Sequence, residues 1–459
     1  MKLIIRYAAL LALAGLCGCQ AVKQARQAQS PTDRLPGETT VTAAQAGLEL
    51  GRPCALTNLE QIARSYHPSL LQAQQAVESA RLQCRMTHSG RLPQVTASGA
   101  YNRSTQNAYG RRPNSTEMRG SWSGSVGLDL LLYDFGKLDA QERQALEALV
   151  AAEEQLRVTE LEVTFNVRAS FFDFHRSDEL YRVALESVNQ YAQHLEEART
   201  MVQVGTRRQY DVTKAEVDWG NARMDVITYS NALIVTRAQL NRALGLADAP
   251  DYLIGAGAMA PHPESVEDLM AAARGNAPSL AVLRARARAA SVYVDQTIAE
   301  LYPDLSLGAD AGLSGRGFPL AWNFAWALRV AQNVFDGHRK TARIEDAVTQ
   351  LRTARSRLAD EEQSLYLALV TAVTVREGAL KRLEVSELIE RQAVENLDIV
   401  NEQYRVGVSS SIERTDAQVT VTQAKAAVVR ARYDYQSAVA RIAQLIGDPV
   451  ASEEPAQNN

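Results

Sequence analysis

The sequence predicts a mainly α-helical protein with a membrane β-barrel contribution, built as a duplicated helix–β-hairpin–long helix–helix unit. Three observations predict it. First, the chain says the same thing twice. His67-Pro68-Ser69-Leu70 returns as Ala277-Pro278-Ser279-Leu280, and Leu92-Pro93 as Tyr302-Pro303. Tyr133-Asp134 returns as Phe335-Asp336, Val204-Gly205 as Val406-Gly407, and Leu244-Gly245 as Ile446-Gly447. Between Pro93 and Asp134 the first copy is eight residues longer, and a length change confined to one place marks a loop tip. Second, each copy carries two stretches in which apolar side chains alternate with small or polar ones, the period of a strand. Third, helical periodicity runs unbroken for nearly 70 residues after each pair of strands, roughly 100 Å of helix.

Composition narrows the class. The 459 residues carry a net charge of −4, no footprint for nucleic acid. The N-terminus reads as a lipoprotein signal peptide over 1–18: Lys2 and Arg6 precede an apolar run from Tyr7 to Leu16, too short to span a bilayer. Leu16-Cys17-Gly18-Cys19 resembles the bacterial lipobox, which would make Cys19 the lipid-bearing first residue of the mature chain. Gln20 in place of Asp then implies sorting to the outer membrane. An ordinary signal peptide cut nearby is the alternative. Residues 19–56 read as a lipid-anchored tether. Cys54 and Cys84 form an even pair flanking Pro68, so a helical hairpin turning there would allow a disulfide; two free thiols are the alternative.

Repeat 1 is placed at 57–245. Leu70, Leu71, Ala73, Gln74, Val77, Ala80 and Leu82 fall at helical spacing, and the helix ends near Leu92-Pro93. A hairpin over about 94–134 follows, with Val95, Ala97, Gly99 and Tyr101 on one face of its first strand and a polar tip around Arg111 to Asn114. Trp122, Gly124, Val126, Leu128 and Leu130 share a face of its second strand. The long helix then runs to about Val204, and a helix of about 35 residues returns to Gly245, a residue suited to a C-cap. An equatorial segment is placed at 246–276, repeat 2 at 277–447 with its hairpin at about 304–336, and a tail at 448–459. The shorter helices match the two halves of each long one, so each repeat should pack one long helix against two short ones stacked end to end.

The hairpins cannot stand alone. Four strands with one apolar face leave two open edges and are too few to close a useful barrel, so closure must come from other subunits. Two chains would give 8 strands, three would give 12.

The lipobox, the duplicated unit, Leu92-Pro93 and Tyr302-Pro303 before the first strands, and the Tyr-Asp-Phe-Gly and Phe-Asp-Gly turns after the second resemble the TolC family, in its OprM-like lipoprotein branch. Val204-Gly205-Thr206 with Asp211, and Tyr404-x-Val406-Gly407 with Glu413, Asp416 and Ala417, strengthen the resemblance, which covers 53 to 449. It implies a homotrimer with a 12-stranded barrel above an α-helical periplasmic tunnel, no cofactor and no catalysis. It also implies an outer-membrane exit channel of a tripartite export system, with a periplasmic adaptor and an inner-membrane transporter as partners. A polypeptide secretion duct of the same fold, and a coiled-coil envelope spacer, are the competing readings; alternating hairpins argue against the spacer.

The resemblance places Asp211, Glu413 and Asp416 at the periplasmic gate, and by residue spacing Glu413 and Asp416 share one helix face. Ordinary helix-start carboxylates are the competing reading. Tyr404 matches the family's gate tyrosine, but Ser409 stands where relatives have an arginine; Arg207 or Arg208, after the first glycine, are the substitutes. The turns Val204-Gly205-Thr206 and Val406-Gly407-Val408 are the expected adaptor contacts. Asp134-Phe135-Gly136 mimics a kinase triplet but lacks its companion motifs. The glycine-rich stretch 308–317 lies on a strand and its tip rather than before a helix, so it is no phosphate cradle. The six histidines lack metal-ligand spacing, and His194 beside Glu196 and Glu197 reads as a solvated helix face.

Overall fold

The computed structural model describes residues 53–106, 117–246, 252–260 and 265–447, together with Val22, Ala25 and Leu48. Cys19, most of the tether, the tip at 111–114 and the tail at 448–459 lie outside the described residues. The first repeat comprises β1 (Pro53–Cys54), α1 (Leu56–Tyr66), α2 (Pro68–His88), β2 (Gln94–Gln106), β3 (Glu117–Tyr133), α3 (Lys137–Gln203) and α4 (Gln209–Leu244). The second comprises β4 (Leu253–Ile254), α5 (Val266–Asn276), α6 (Pro278–Ala299), β5 (Asp304–Gly315), β6 (Ala321–Ala331), α7 (Arg339–Arg405) and α8 (Ser411–Ile446).

The duplication is exact in the two longest helices of each repeat: α3 and α7 have 67 residues each, α4 and α8 have 36. The extra length sits in the first hairpin, whose strands have 13 and 17 residues against 12 and 11. One boundary moves. The second repeat starts at α5, the 11-residue counterpart of α1, inside the stretch assigned to an equatorial linker. Each of these short helices ends where the next residue but one is a proline, which fits only at the start of the following helix. The tether boundary moves too: Leu48, Cys54 and Leu56 are buried in the main core.

In each repeat the two short helices stack end to end along the long one. The C-cap glycines Gly245 and Gly447 make the joints, both at positive φ. A Cβ on Gly245 would lie 2.9 Å from the His67 Cα, and one on Gly447 would lie 2.7 Å from the Asn276 carbonyl oxygen. Only glycine meets both the left-handed backbone and the close approach. Around the lower joint of the first repeat lies the main core, with Leu59, Val167, Phe171, Phe172, Leu240 and Leu244 all fully buried. Glu60 and Arg168 form an ion pair of 2.6 Å inside it, tying α1 to α3.

α1 therefore packs on α3 and α4 and does not fold back along α2. That overturns the hairpin on which the disulfide depended. Cys54 and Cys84 are free thiols, and Cys54 sits in a parallel two-strand ladder, its partner Ile254.

β2, β3, β5 and β6 form one antiparallel sheet in that order. The register aligns Val95, Leu128, Ala309 and Trp326 across all four strands, and Ala97, Val126, Ala311 and Phe324 in the next row out. These rows make one apolar face, on which Trp322, Phe324 and Trp326 are 75%, 61% and 70% exposed. The intervening rows, such as Ser98, Ser125, Gly312 and Asn323, carry small or polar groups. Among the described residues no helix is long and apolar enough to cross a membrane.

Strand turns into helix through a two-residue left-handed step, Phe135-Gly136 in the first copy and Gly337-His338 in the second. Asp134 holds the first step: its carboxylate accepts from the Gly136 and Leu138 amides at 3.1 and 2.6 Å, so it caps α3 from two residues upstream.

Candidate functional site at the paired helix turns

Below the core the chain is four helices side by side, in the order α4, α3, α8, α7. The two turns at their lower end are near copies. Gly205 and Gly407 stand at φ 80° and 82°. The Thr206 amide donates to the Met201 carbonyl and the Gly205 amide to Val202; the Val408 amide donates to Gln403 and the Gly407 amide to Tyr404. Both are Schellman ends, which satisfy carbonyls the helix leaves open. Nothing lies within 4 Å of a Cβ built on either glycine, and Val204, Val406 and Val408 are 68%, 74% and 77% exposed.

The predicted gate residues separate into two groups. Tyr404 and Arg207 come together. Tyr404 is fully buried, and the Arg207 guanidinium lies 4.5 Å from its ring centroid. Arg207 also donates to the Tyr404 and Ser409 carbonyls, at 3.3 and 3.2 Å, so the first turn clasps the second. The arginine that the second turn lacks is supplied in space by the first. The three carboxylates, in contrast, share no single role. Asp211 accepts from the Ser411 hydroxyl at 2.6 Å, a bond between repeats. Glu413 closes a capping box with Ser410, so its carboxylate is engaged at the start of α8. Asp416 is exposed.

Several participants had no motif to announce them. Arg414 lies 4.9 Å from the Tyr404 ring centroid and donates to Glu197 and Asn401, both at 2.7 Å. Asp218 accepts from Lys214 and Thr415, each at 3.1 Å. His194 corrects the sequence reading: it is buried, 6% exposed, and meets Tyr404 edge to face with ring centroids 5.7 Å apart. Its two glutamate neighbours suggested a solvated face, yet Tyr191, Leu195 and Ala198 place position 194 on the buried stripe. Burial, followed by the nearby Arg414, pushes the imidazole pKa down to about 4.

The geometry is therefore a duplicated pair of helix ends latched to one another by side chains, beneath a sheet with an apolar face and two open edges. The outer membrane efflux protein family matches the chain over residues 59–246 and 269–448, one match for each repeat. The chain belongs to that family. TolC of Salmonella enteritidis is 28% identical over 213 residues, 44% of this chain and 42% of TolC. The toluene efflux pump outer membrane protein TtgC of Pseudomonas putida is 20% identical over 408 residues, 86% of this chain and 83% of TtgC. The fold is shared with the crystal structure of CusC, at a TM-score of 0.75 and 18% identity, covering 91% of this chain and 96% of CusC. It is also shared with the open state of the MtrE channel of Neisseria gonorrhoeae, at a TM-score of 0.73 and 18% identity, covering 86% and 89%.

Proposed function

We propose that this chain is the outer-membrane exit channel of a tripartite export system, conducting small molecules passively from a periplasmic adaptor and an inner-membrane pump to the exterior. The observation that carries the reading is the open-edged sheet. Among the described residues β2 and β6 are unpaired edges, and an apolar-faced sheet in hydrocarbon must close because bare backbone groups there are costly. Three copies would close a 12-stranded barrel. The helices repeat the pattern: among the described residues α4 and α7 flank the lower layer with no further helix beside them, so the same operation would close a tunnel. Exposed apolar side chains on these flanks, Val217, Met224 and Ile234 on α4 and Val385, Ile389 and Ile399 on α7, suit helix packing between copies.

Small-molecule cargo rests on relatives named for toluene, antibiotic and solvent efflux. Cys19 carries the lipid anchor. The turns Val204-Gly205-Thr206 and Val406-Gly407-Val408 meet the adaptor, whose backbone approaches the bare glycines. The Arg207–Tyr404 clasp, with Asp211 beside it and Glu413 and Asp416 on the first turns of α8, holds the periplasmic end shut; the chain performs no chemistry. The test is the particle mass in detergent: a trimer is expected, and a monomer or dimer would overturn the reading. With the trimer in hand, Gly205→Trp or Gly407→Trp is expected to abolish export without dispersing it.

A further inference from the structure

The clasp has a buried titratable neighbour that closure itself does not use. His194 projects from α3 into the space where Tyr404 of α7 receives Arg207 from the first turn and Arg414 from α8. The His194 Nε2 and the Tyr404 hydroxyl are both buried without a hydrogen-bond partner. The charged groups facing this ring are Glu197 on α3, Lys214 and Asp218 on α4, and Arg414 on α8. Both carboxylates are already engaged, Glu197 by Arg414 and Asp218 by Lys214 and Thr415. A proton on His194 would thus add a cation beside the two guanidiniums gathered on Tyr404. Glu197 and Asp218 favour that proton, but burial and then Arg414 outweigh them.

We infer that His194 is an acid sensor of the periplasmic latch: its protonation expels the ring from the Tyr404 pocket and loosens the clasp between the turns. The inference rests on the reading of Arg207 and Tyr404 as the latch. The sign follows from linkage. A histidine whose pKa is lowered in the closed state from 6.5 to about 4, and restored when exposed, stabilises closure above pH 6.5. That contribution is lost as pH falls from 6.5 towards 4; at pH 4 the closed-to-open ratio of each latch is about 150-fold lower, and it approaches about 300-fold lower only at still more acid pH.

The test is single-channel recording of the full-length protein in planar bilayers between pH 7 and pH 4. In the parent, the closed-to-open ratio of each latch is expected to fall by about 100-fold in all, most steeply between about pH 6 and 4.5. His194→Phe, which keeps the ring and removes the titration, is expected to flatten the profile, and His194→Gln serves the same purpose if Phe does not assemble. A variant that assembles and keeps the parental slope would overturn the inference. Arg207→Gln at pH 7 reports on the latch itself. A raised open probability there supports the latch whatever His194 does; no change would remove the latch and the inference with it.

Discussion

The helix pairs inside each repeat and the seam between the repeats are held by different chemistry. Within the first repeat, the lower parts of α3 and α4 meet through Leu195, Ala198, Val212 and Ala215. Within the second, α7 and α8 meet through Ala393, Leu397, Ala417, Val421 and Ala424. Between the repeats, where α3 faces α8 below the core, the contacts are polar: Glu197 with Arg414 at 2.7 Å, Gln190 with Gln418, and Glu186 with Lys425 at 2.7 Å. Two further bonds tie the repeats lower down, Asp218 with Thr415 and Asp211 with Ser411. Apolar contact is insensitive to small rotations and keeps each pair together as it moves. Hydrogen bonds and ion pairs hold one geometry, and water replaces them once they are broken. On the proposed exit-channel reading, the seam is the part that opens and the pairs travel whole.

Magnitudes agree with that division. The partly exposed ion pairs of the seam are worth about 0.2–1 kcal/mol each after screening, and its other hydrogen bonds at least about 0.5–1.5. Seven such bonds, counting the two of the Arg207 clasp, sum to roughly 3–9 kcal/mol. A shift from mostly closed to mostly open needs about 5.5 kcal/mol of differential binding, which an engaging partner can supply.

The largest expected effect is on stability, from within a pair. Leu397 is 8% exposed in the α7–α8 cluster, so Leu397→Ala should cost roughly 2–5 kcal/mol. It should lower the thermal unfolding midpoint yet leave open probability at neutral pH unchanged. Breaking the seam should do the reverse. Glu197→Gln with Arg414→Gln keeps shape and removes the charge pair, so open probability in bilayers should rise while the unfolding midpoint barely moves. If the two variants gave the same pattern, the division would fail. The smallest effect is that of salt. Raising ionic strength from about 0.1 to 1 M shortens the screening length from about 10 to 3 Å, so the parent should open more often. The seam variant, having lost its strongest charge pair, should respond less.

Why the pairs were legible in the sequence and the seam was not follows from the same division. The pairs rest on local periodicity, and their ends are marked by residues with one physical use. Glycine tolerates the left-handed caps at 205, 245, 407 and 447, and Pro68 and Pro278 open helices they could not continue. The strands showed themselves through alternation that the register then matched row by row. The seam joins residues some 200 positions apart, such as Glu197 and Arg414, and neither carries a local mark of its partner. Arg207 was singled out only because Ser409 leaves its turn without an arginine. His194 was misplaced because charge two and three residues away outweighed the stripe it belongs to. The disulfide failed because a proline break indicates a bend in the chain but not its direction; packing of α1 on α3 and α4 decided that. The start of the second repeat was late because it was set by the Ala277-Pro278 motif, although Pro261, Pro263 and the Ser265 cap already mark the beginning of α5.

Locking each contact separately tests the account most directly. A disulfide across the seam, from Glu186→Cys with Lys425→Cys, joins residues that pair across α3 and α8; one from Leu397→Cys with Val421→Cys joins α7 to α8 inside the apolar cluster. The measurement is drug export by cells carrying each cross-linked protein, before and after a membrane-permeant reductant. The account predicts that the seam lock stops export, that reduction restores it, and that the lock inside the pair leaves export at the parental level throughout. Export through a verified seam lock, or a block by the lock inside the pair, would contradict it.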